Sequence, residues 1–263
     1  GSCLTLPGCT SSDVASMDGY NYDVVAIGDQ CWFAENLRTT VYADGTVIPA
    51  GLTDGEWTST TAGATAVHGE GSSGCNNFSP DIDACDEAQS LAEYGRLYNW
   101  YAVDDARSLC PIGWHVPTDS EWTELEDYIS SQGFNGSEGT ALKSTSGWNN
   151  GGNGTDDFGF SALPGGFRSF NGLFNAAGAN AYLWSSSQFG SYAWSRVLKY
   201  NSSGIGRNYD ITSFGYSVRC LQDGGFGCTD PAFTEYNPSA DNDDGSCATA
   251  VVNGCTDPAF IEY

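Results

Sequence analysis

Ten cysteines are spread along this 263-residue chain, at positions 3, 9, 31, 75, 85, 110, 220, 228, 247 and 255, and none stands in a CxxC pair. With only two histidines beside them, structural zinc and iron–sulfur sites have too few ligands at the right spacing. Disulfide bonds in an oxidising, extracellular setting are the reading that remains. Cys75 and Cys85 read as a local staple. A bridge from Cys110 to Cys220 would fasten the middle of the chain to the end of its large domain, and closing so long a loop is worth roughly 2–5 kcal/mol. Cys9 and Cys31 are also placed among the bridged cysteines. In the tail, Cys228–Cys247 would close one unit. The alternative is Cys247–Cys255, with Cys3–Cys9 as its counterpart, and spacing does not choose between them.

The tail repeats itself. GCTDPAFTEY at 227–236 returns as GCTDPAFIEY at 254–263, and Gly1–Ser2–Cys3 matches Gly245–Ser246–Cys247. Self-similarity of this kind marks a tandem array. The expected organisation is the end of a preceding repeat over 1–16, a large domain over 17–222, an acidic cysteine repeat over 223–253 and the start of another over 254–263. Residues 228–263 hold seven acidic residues and no basic ones, with too few large apolar side chains for a core of their own. Within them, Asp241, Asp243 and Asp244 precede Gly245 in the manner of half a calcium loop, with Asp230 and Asn237 as further oxygen donors. Hard cations take such oxygens on a tight turn, and carboxylates this close repel one another without one. The bland alternative is a solvated Asp/Asn turn. A second calcium candidate is the pair Asp156 and Asp157.

Charge removes whole classes of partner. There are 33 acidic residues against 9 basic ones, a formal charge of -24. Nucleic acid and anionic lipid both require a basic face, which is missing here. No run of 18 apolar residues occurs, so membrane insertion by an apolar helix is not expected.

Residues 17–222 carry the pattern of a folded α+β domain. Tyr20, Tyr22 and Val24 alternate before Gly28–Asp29, which predicts a β-hairpin. Residues 42–90 read as long loops rich in Gly, Ser, Thr and Asp. Residues 96–102 read as core, whether strand or helix. The clear helix is 118–131: Thr118 is its N-cap, Glu121 completes a capping box, and Trp122, Leu125 and Ile129 form the buried stripe. Short strands are expected at 158–162, 166–170, 182–185, 193–198 and 216–221, making small antiparallel sheets with extensive loops.

Seven words run in order through this domain: AIGDQCWFAENL, YGRLYNWYA, CPIGWHVPTDSEWTELE, ALKSTSGWN, NGTDDFGFSALPGGFR, LWSSS and GYSVRC. The series resembles the Fibrobacter succinogenes major paralogous domain. The resemblance implies a C-type-lectin-like fold, a secreted or surface-attached protein, and no enzymatic role established for the class. The GCTDP…DDGSC units resemble acidic repeats of secreted Bacteroidetes-type surface proteins.

The residues offer little to an enzyme. His115 is expected to pack and bond a loop carbonyl, and His68 reads equally well as surface. Neighbouring carboxylates such as Asp104–Asp105 are too common in so acidic a chain to mark a glycosidase pair. Binding is better supplied. Trp32, Trp100, Trp114 and Trp184 are expected in the core, whereas Trp57, Trp148 and Tyr182 flank glycine-rich turns and are expected to be exposed. Together with Asn149, Asn150 and Asn153 they form the candidate ligand-binding set. Aromatic faces and amide side chains suit sugars. N-x-S/T words stand at Asn77, Asn135, Asn153 and Asn201. The function expected is that of a non-enzymatic, extracellular surface-protein segment. It would serve adhesion or a fibre built from neighbouring copies or repeats of the same protein, its repeats stiffened by calcium. The alternative is a discrete carbohydrate-binding module meeting a surface glycan, with a host or cell-surface protein as a further partner.

Overall fold

Thr118 opens the longest helix as the capping box requires. Its hydroxyl accepts the backbone N–H of Glu121, and the Glu121 carboxylate accepts the backbone N–H of Thr118 at 2.6 Å. This helix, Asp119–Ile129, buries Trp122, Leu125 and Ile129 on one stripe. It passes into a π-turn over Ser130–Phe134, where Gly133 takes φ +101° and ends the helical path. The computed structural model describes residues 14–227 and, beyond them, 230, 232–233, 240–243 and 247–249. Two units are separable, the first ending at Gln222 and the second running from Asp223.

In chain order the first unit comprises β1 (Val14–Met17), β2 (Tyr20–Ile27), β3 (Gln30–Phe33), α1 (Asp54–Ser59), β4 (Thr65–Ala66), β5 (Cys75–Asn77), α2 (Glu87–Tyr94), β6 (Leu97–Asn99), α3 (Trp100–Val103), β7 (Trp114–His115) and α4 (Asp119–Ile129). Then follow α5 (Glu138–Leu142), β8 (Gly165–Arg168), β9 (Phe174–Ala177), β10 (Asn180–Phe189), β11 (Tyr192–Lys199), β12 (Gly206–Ile211), β13 (Gly215–Tyr216) and β14 (Leu221–Gln222). Among the described residues one sheet runs β1-β2-β3-β14-β7. A larger one runs β12-β11-β10-β8-β13-β6-β4, with β9 on β8 and β5 on β9. Pairing is mostly antiparallel, but β8 meets β10 and β5 meets β9 in parallel, so the sheets are mixed. The architecture is α+β.

Several expectations change. The predicted hairpin is β2–β3, and residues 97–103 are strand and then helix. The stretch 42–90 is not all loop: α1 and α2 lie in it, capped by Thr53 and Asp86. The large domain therefore holds five α-helices among the described residues rather than one. Residues 158–162 form no strand; Ala162 makes only an isolated bridge to Lys143, because Asp156 turns the chain at φ +50°.

Two disulfides fall where expected, Cys75–Cys85 and Cys110–Cys220. Cys31 and Cys247 are disulfide-bonded as well. Cys9 and Cys228 lie outside the described residues.

One core cluster is built on Tyr22, Phe33, Trp100, Trp184 and Tyr216. Another is built on Trp32, Trp122, Leu125, Ile129, Trp148 and Leu198. Three arginines are wholly buried: Arg168, Arg196 and Arg219. A buried charge needs local partners: Arg196 pairs with Asp119 and Glu126, and Arg168 donates to the Gly172 and Leu52 carbonyls. Arg219 donates to Asn36 Oδ1 at 3.0 Å and to the carbonyls of Phe160 and Ser161.

In the second unit, β15 (Gly225–Gly227) pairs in parallel with β16 (Ala240–Asp243). Asp241 and Asp243, expected in a loop, therefore stand on a strand.

Candidate functional site: an aromatic face on the edge hairpin

β10, β11 and β12 form the free edge of the larger sheet. A two-residue turn, Gly190–Ser191, joins β10 to β11. Gly190 has φ +63° at the first central position, which suits the tight hairpins whose twist matches the strands. The register sets Tyr192 opposite both Phe189 and Ile211, Trp194 opposite Tyr209, and Arg196 opposite Arg207. Residues directly paired across an antiparallel ladder share a face, and so do residues two apart on a strand. Phe189, Tyr192, Trp194, Tyr209 and Ile211 thus stand together on one side.

The inner end of that face is covered by α4. Leu198 packs with Trp122, Leu125 and Ile129, and Arg196 reaches the helix at Asp119 (2.7 Å), Thr123 (3.2 Å) and Glu126. Two further bonds tie the helix start to β10: Ser186 N donates to the Pro117 carbonyl at 2.9 Å, and Asp119 N to Ser187 Oγ at 3.0 Å. Beyond that start this face of the hairpin opens to solvent. Phe189 is 46% exposed, Tyr192 40%, Tyr209 52% and Ile211 42%, so four large apolar side chains form one open patch. Their rings hold one another: Phe189 lies 5.0 Å from Trp194 and 4.9 Å from Tyr209, and Tyr192 lies 5.6 Å from Tyr209. Contiguous exposed apolar groups of this kind mark interaction surfaces, whereas single ones do not.

Charge finishes the site at its inner border. Arg207 lays its guanidinium 3.6 Å over the Trp194 ring and chelates Asp119 at 2.6 and 2.9 Å. Asp119 therefore sits between two arginines. Burial works to raise its carboxyl, and the bonds from Arg207 and Arg196 outweigh that and hold it below its ordinary value. Glu126, more deeply set, is pushed up by burial despite Arg196.

The residues named from sequence are distributed elsewhere. Trp57 and Trp148 were expected to be exposed and are buried, at 0% and 1%. Trp57 lies under Arg168, whose guanidinium is 4.4 Å from its ring, and donates Nε1–H to the Ser213 carbonyl. Trp148 is a core residue bonded to Ser144 Oγ and the Ala162 carbonyl. Tyr182 is half-buried and stacks on Tyr216 at 4.9 Å. Asn149 and Asn150 form a one-turn 3-10 segment, and Asn153 accepts the Trp148 N–H at 3.1 Å. These amides shape a turn and do not converge on the buried indoles.

Asp156 is engaged by the backbone N–H and hydroxyl of Ser161, and Asp157 by the Thr155 hydroxyl. Asp230 accepts the Ala232 N–H at 2.9 Å in an Asx turn. Asn237 and Asp244 lie outside the described residues. Among the described residues, no three His, Cys, Asp or Glu side chains gather as metal ligands.

The histidines lie inside or against the core. His68 is buried at 1% rather than on the surface, held against Phe174 at 5.0 Å between ring centres. His115 meets the Glu121 carboxylate at 2.9 Å. Trp32, Trp100 and Trp184 are in the core as expected, and Trp114 is half-buried.

The edge-hairpin face was not legible as a site. Its signal is the alternation of Tyr192 and Trp194 after a tight Gly–Ser turn, but its partner strand GRNYDI is mostly polar and reads as loop.

Residues 25–222 match the Fibrobacter succinogenes major domain. The chain belongs to that family. No curated protein and no solved structure matches it. The Fibrobacter succinogenes major domain thus spans the unit that carries the aromatic face. The words that first suggested the family supply its interior: Asn36, Trp100, Trp122, Trp184 and Arg219 are all buried. Phe189, Tyr192, Tyr209 and Ile211 lie outside those words.

Proposed function

We propose that this chain is a non-enzymatic segment of an extracellular surface protein, and that its large domain serves adhesion or fibre assembly by docking the aromatic face of β10–β12 on neighbouring copies. The observation that carries this reading is the open patch of Phe189, Tyr192, Tyr209 and Ile211. It is broad and uncharged on a chain of formal charge -24, the one kind of surface on which two such acidic chains meet without facing carboxylates. The edge of β12 carries Arg207, Asn208 and Asp210, and charged edges discourage open-ended strand addition. Association therefore goes face to face.

The lectin-like classification belongs to the same reading. It draws on the family words and on mixed sheets joined by long ordered loops. The acidic repeats act as spacers, stiffened by calcium drawn to their carboxylates, and the disulfides suit an oxidising exterior. No helix among the described residues is long and apolar enough to cross a membrane.

Beads coated with the full chain test the reading. Clustering is expected for the wild-type protein and is lost with Phe189→Ser/Tyr209→Ser. Equal clustering of both proteins would refute it.

A further inference from the structure

A second surface feature lies away from the aromatic face. The loop preceding β4 and the turn after α3 enclose an open cleft of about 460 Å³, within the size range of small-molecule sites. Its walls are built rather than incidental. Asn99, wholly buried, donates Nδ2–H to the Ala62 carbonyl at 2.9 Å and accepts the N–H groups of Ala64 (2.9 Å) and Ala102 (3.1 Å). One side chain thus clamps the loop wall to α3. The opposite wall is held by Asp105, which accepts Arg107 Nε at 2.8 Å, Arg107 Nη2 at 2.6 Å and the Arg107 backbone N–H at 3.0 Å.

The lining divides into apolar and hydrogen-bonding groups. Val47, Pro49 and the ring of Tyr101 give flat apolar surface. Asp104 presents an exposed carboxylate that makes no hydrogen bond or ion pair among the described residues. At the floor stands Gly63, where a Cβ would collide with the Tyr42 hydroxyl. That hydroxyl belongs to a side chain only 1% exposed, packed under the Arg107 guanidinium at 4.1 Å and turned toward Asp105. Burial first, and then the Asp105 charge, raise Tyr42 to about 12, so it is a protonated donor at neutral pH.

The geometry points to a binding cleft for a neutral saccharide unit. Its apolar sugar face would lie on Tyr101 and Pro49, and its hydroxyls would donate to Asp104 and accept from Arg107. Asp104 and Asp105 against Arg107 leave the cleft net negative, inside a chain of charge -24, which excludes sialylated, sulfated and uronic sugars. The cleft is separate from the β10–β12 face, so this inference does not depend on assembly.

The test is titration of the full chain with neutral oligosaccharides built from glucose, galactose, mannose or N-acetylglucosamine, followed by isothermal calorimetry. Sialylated and sulfated glycans are run alongside. At least one neutral glycan is expected to bind, and Asp104→Ala, an exposed change that leaves the fold intact, is expected to weaken it tenfold or more. Tyr101→Ala is expected to do the same, whereas Phe189→Ser/Tyr209→Ser leaves it unchanged. The inference is overturned by no binding of any neutral glycan at millimolar concentration, by tighter binding of the charged glycans, or by binding that survives Asp104→Ala.

Discussion

Arg207 covers the inner border of the aromatic face by stacking on Trp194 at 3.6 Å. The same guanidinium grips Asp119 in the first turn of α4, so the ring surface and the helix start are joined through one side chain. Trp194 is thereby fixed as a floor on which Phe189 and Tyr209 lean.

Removing that clasp is expected to loosen the face more than the fold. Because Arg207 is half exposed, Arg207→Ala should cost only about 0.5–1 kcal/mol. Trp194 should become more accessible to acrylamide quenching, and Arg207→Lys should restore little, since an ammonium lacks the flat stacking surface. Quenching unchanged in Arg207→Ala would contradict the arrangement.

Stability should depend more on the long disulfide than on the short one. Cys110–Cys220 closes a sequence separation of 110 residues and Cys75–Cys85 one of 10. Chain entropy assigns about 4–5 kcal/mol to the first and about 2–3 kcal/mol to the second. Urea unfolding of Cys110→Ser/Cys220→Ser and Cys75→Ser/Cys85→Ser should show that order, and a reversed order would count against it.

His68 sets a pH dependence. Burial drives it down from the ordinary 6.5 to about 4, against its hydrogen bonds to backbone groups. The unfolded chain therefore takes up a proton near pH 6.5 that the folded chain refuses until about pH 4. Its contribution is fully present above 6.5 and is lost as pH falls toward 4, up to about 3 kcal/mol. The stability difference between wild type and His68→Gln should shift in that window, and a difference constant from pH 7.5 to 4.5 would show that His68 is not buried neutral.

Calcium should stiffen the acidic repeats. Added calcium is expected to raise the melting temperature, and chelation to speed proteolysis after residue 222 before the large domain is cut. Identical melting and cleavage with and without chelator would remove calcium from the account.

What could be read from the chain follows local rules. Helix α4 was legible because its cap, its Glu121 and its apolar stripe all lie within twelve residues. Helix α1 carries the same capping box, Thr53 to Glu56, but it is only six residues long and its surroundings are polar. Trp57 shows the other limit. Its neighbours in sequence are Gly, Glu, Thr and Ser, while the groups that bury it, Arg168 and the Ser213 carbonyl, lie more than a hundred residues away. The aromatic face is missed for the same reason: Phe189, Trp194 and Tyr209 meet only once the register of three strands is set.

Whether these acidic chains meet through the aromatic face is decided by sedimentation velocity of the full chain over a concentration series. Concentration-dependent association is expected, strengthening as salt screens the like charges, and abolished by Phe189→Ser/Tyr209→Ser without change in melting temperature. A chain that stays monomeric at all concentrations and salts, or one that associates equally well with the double substitution, would contradict it.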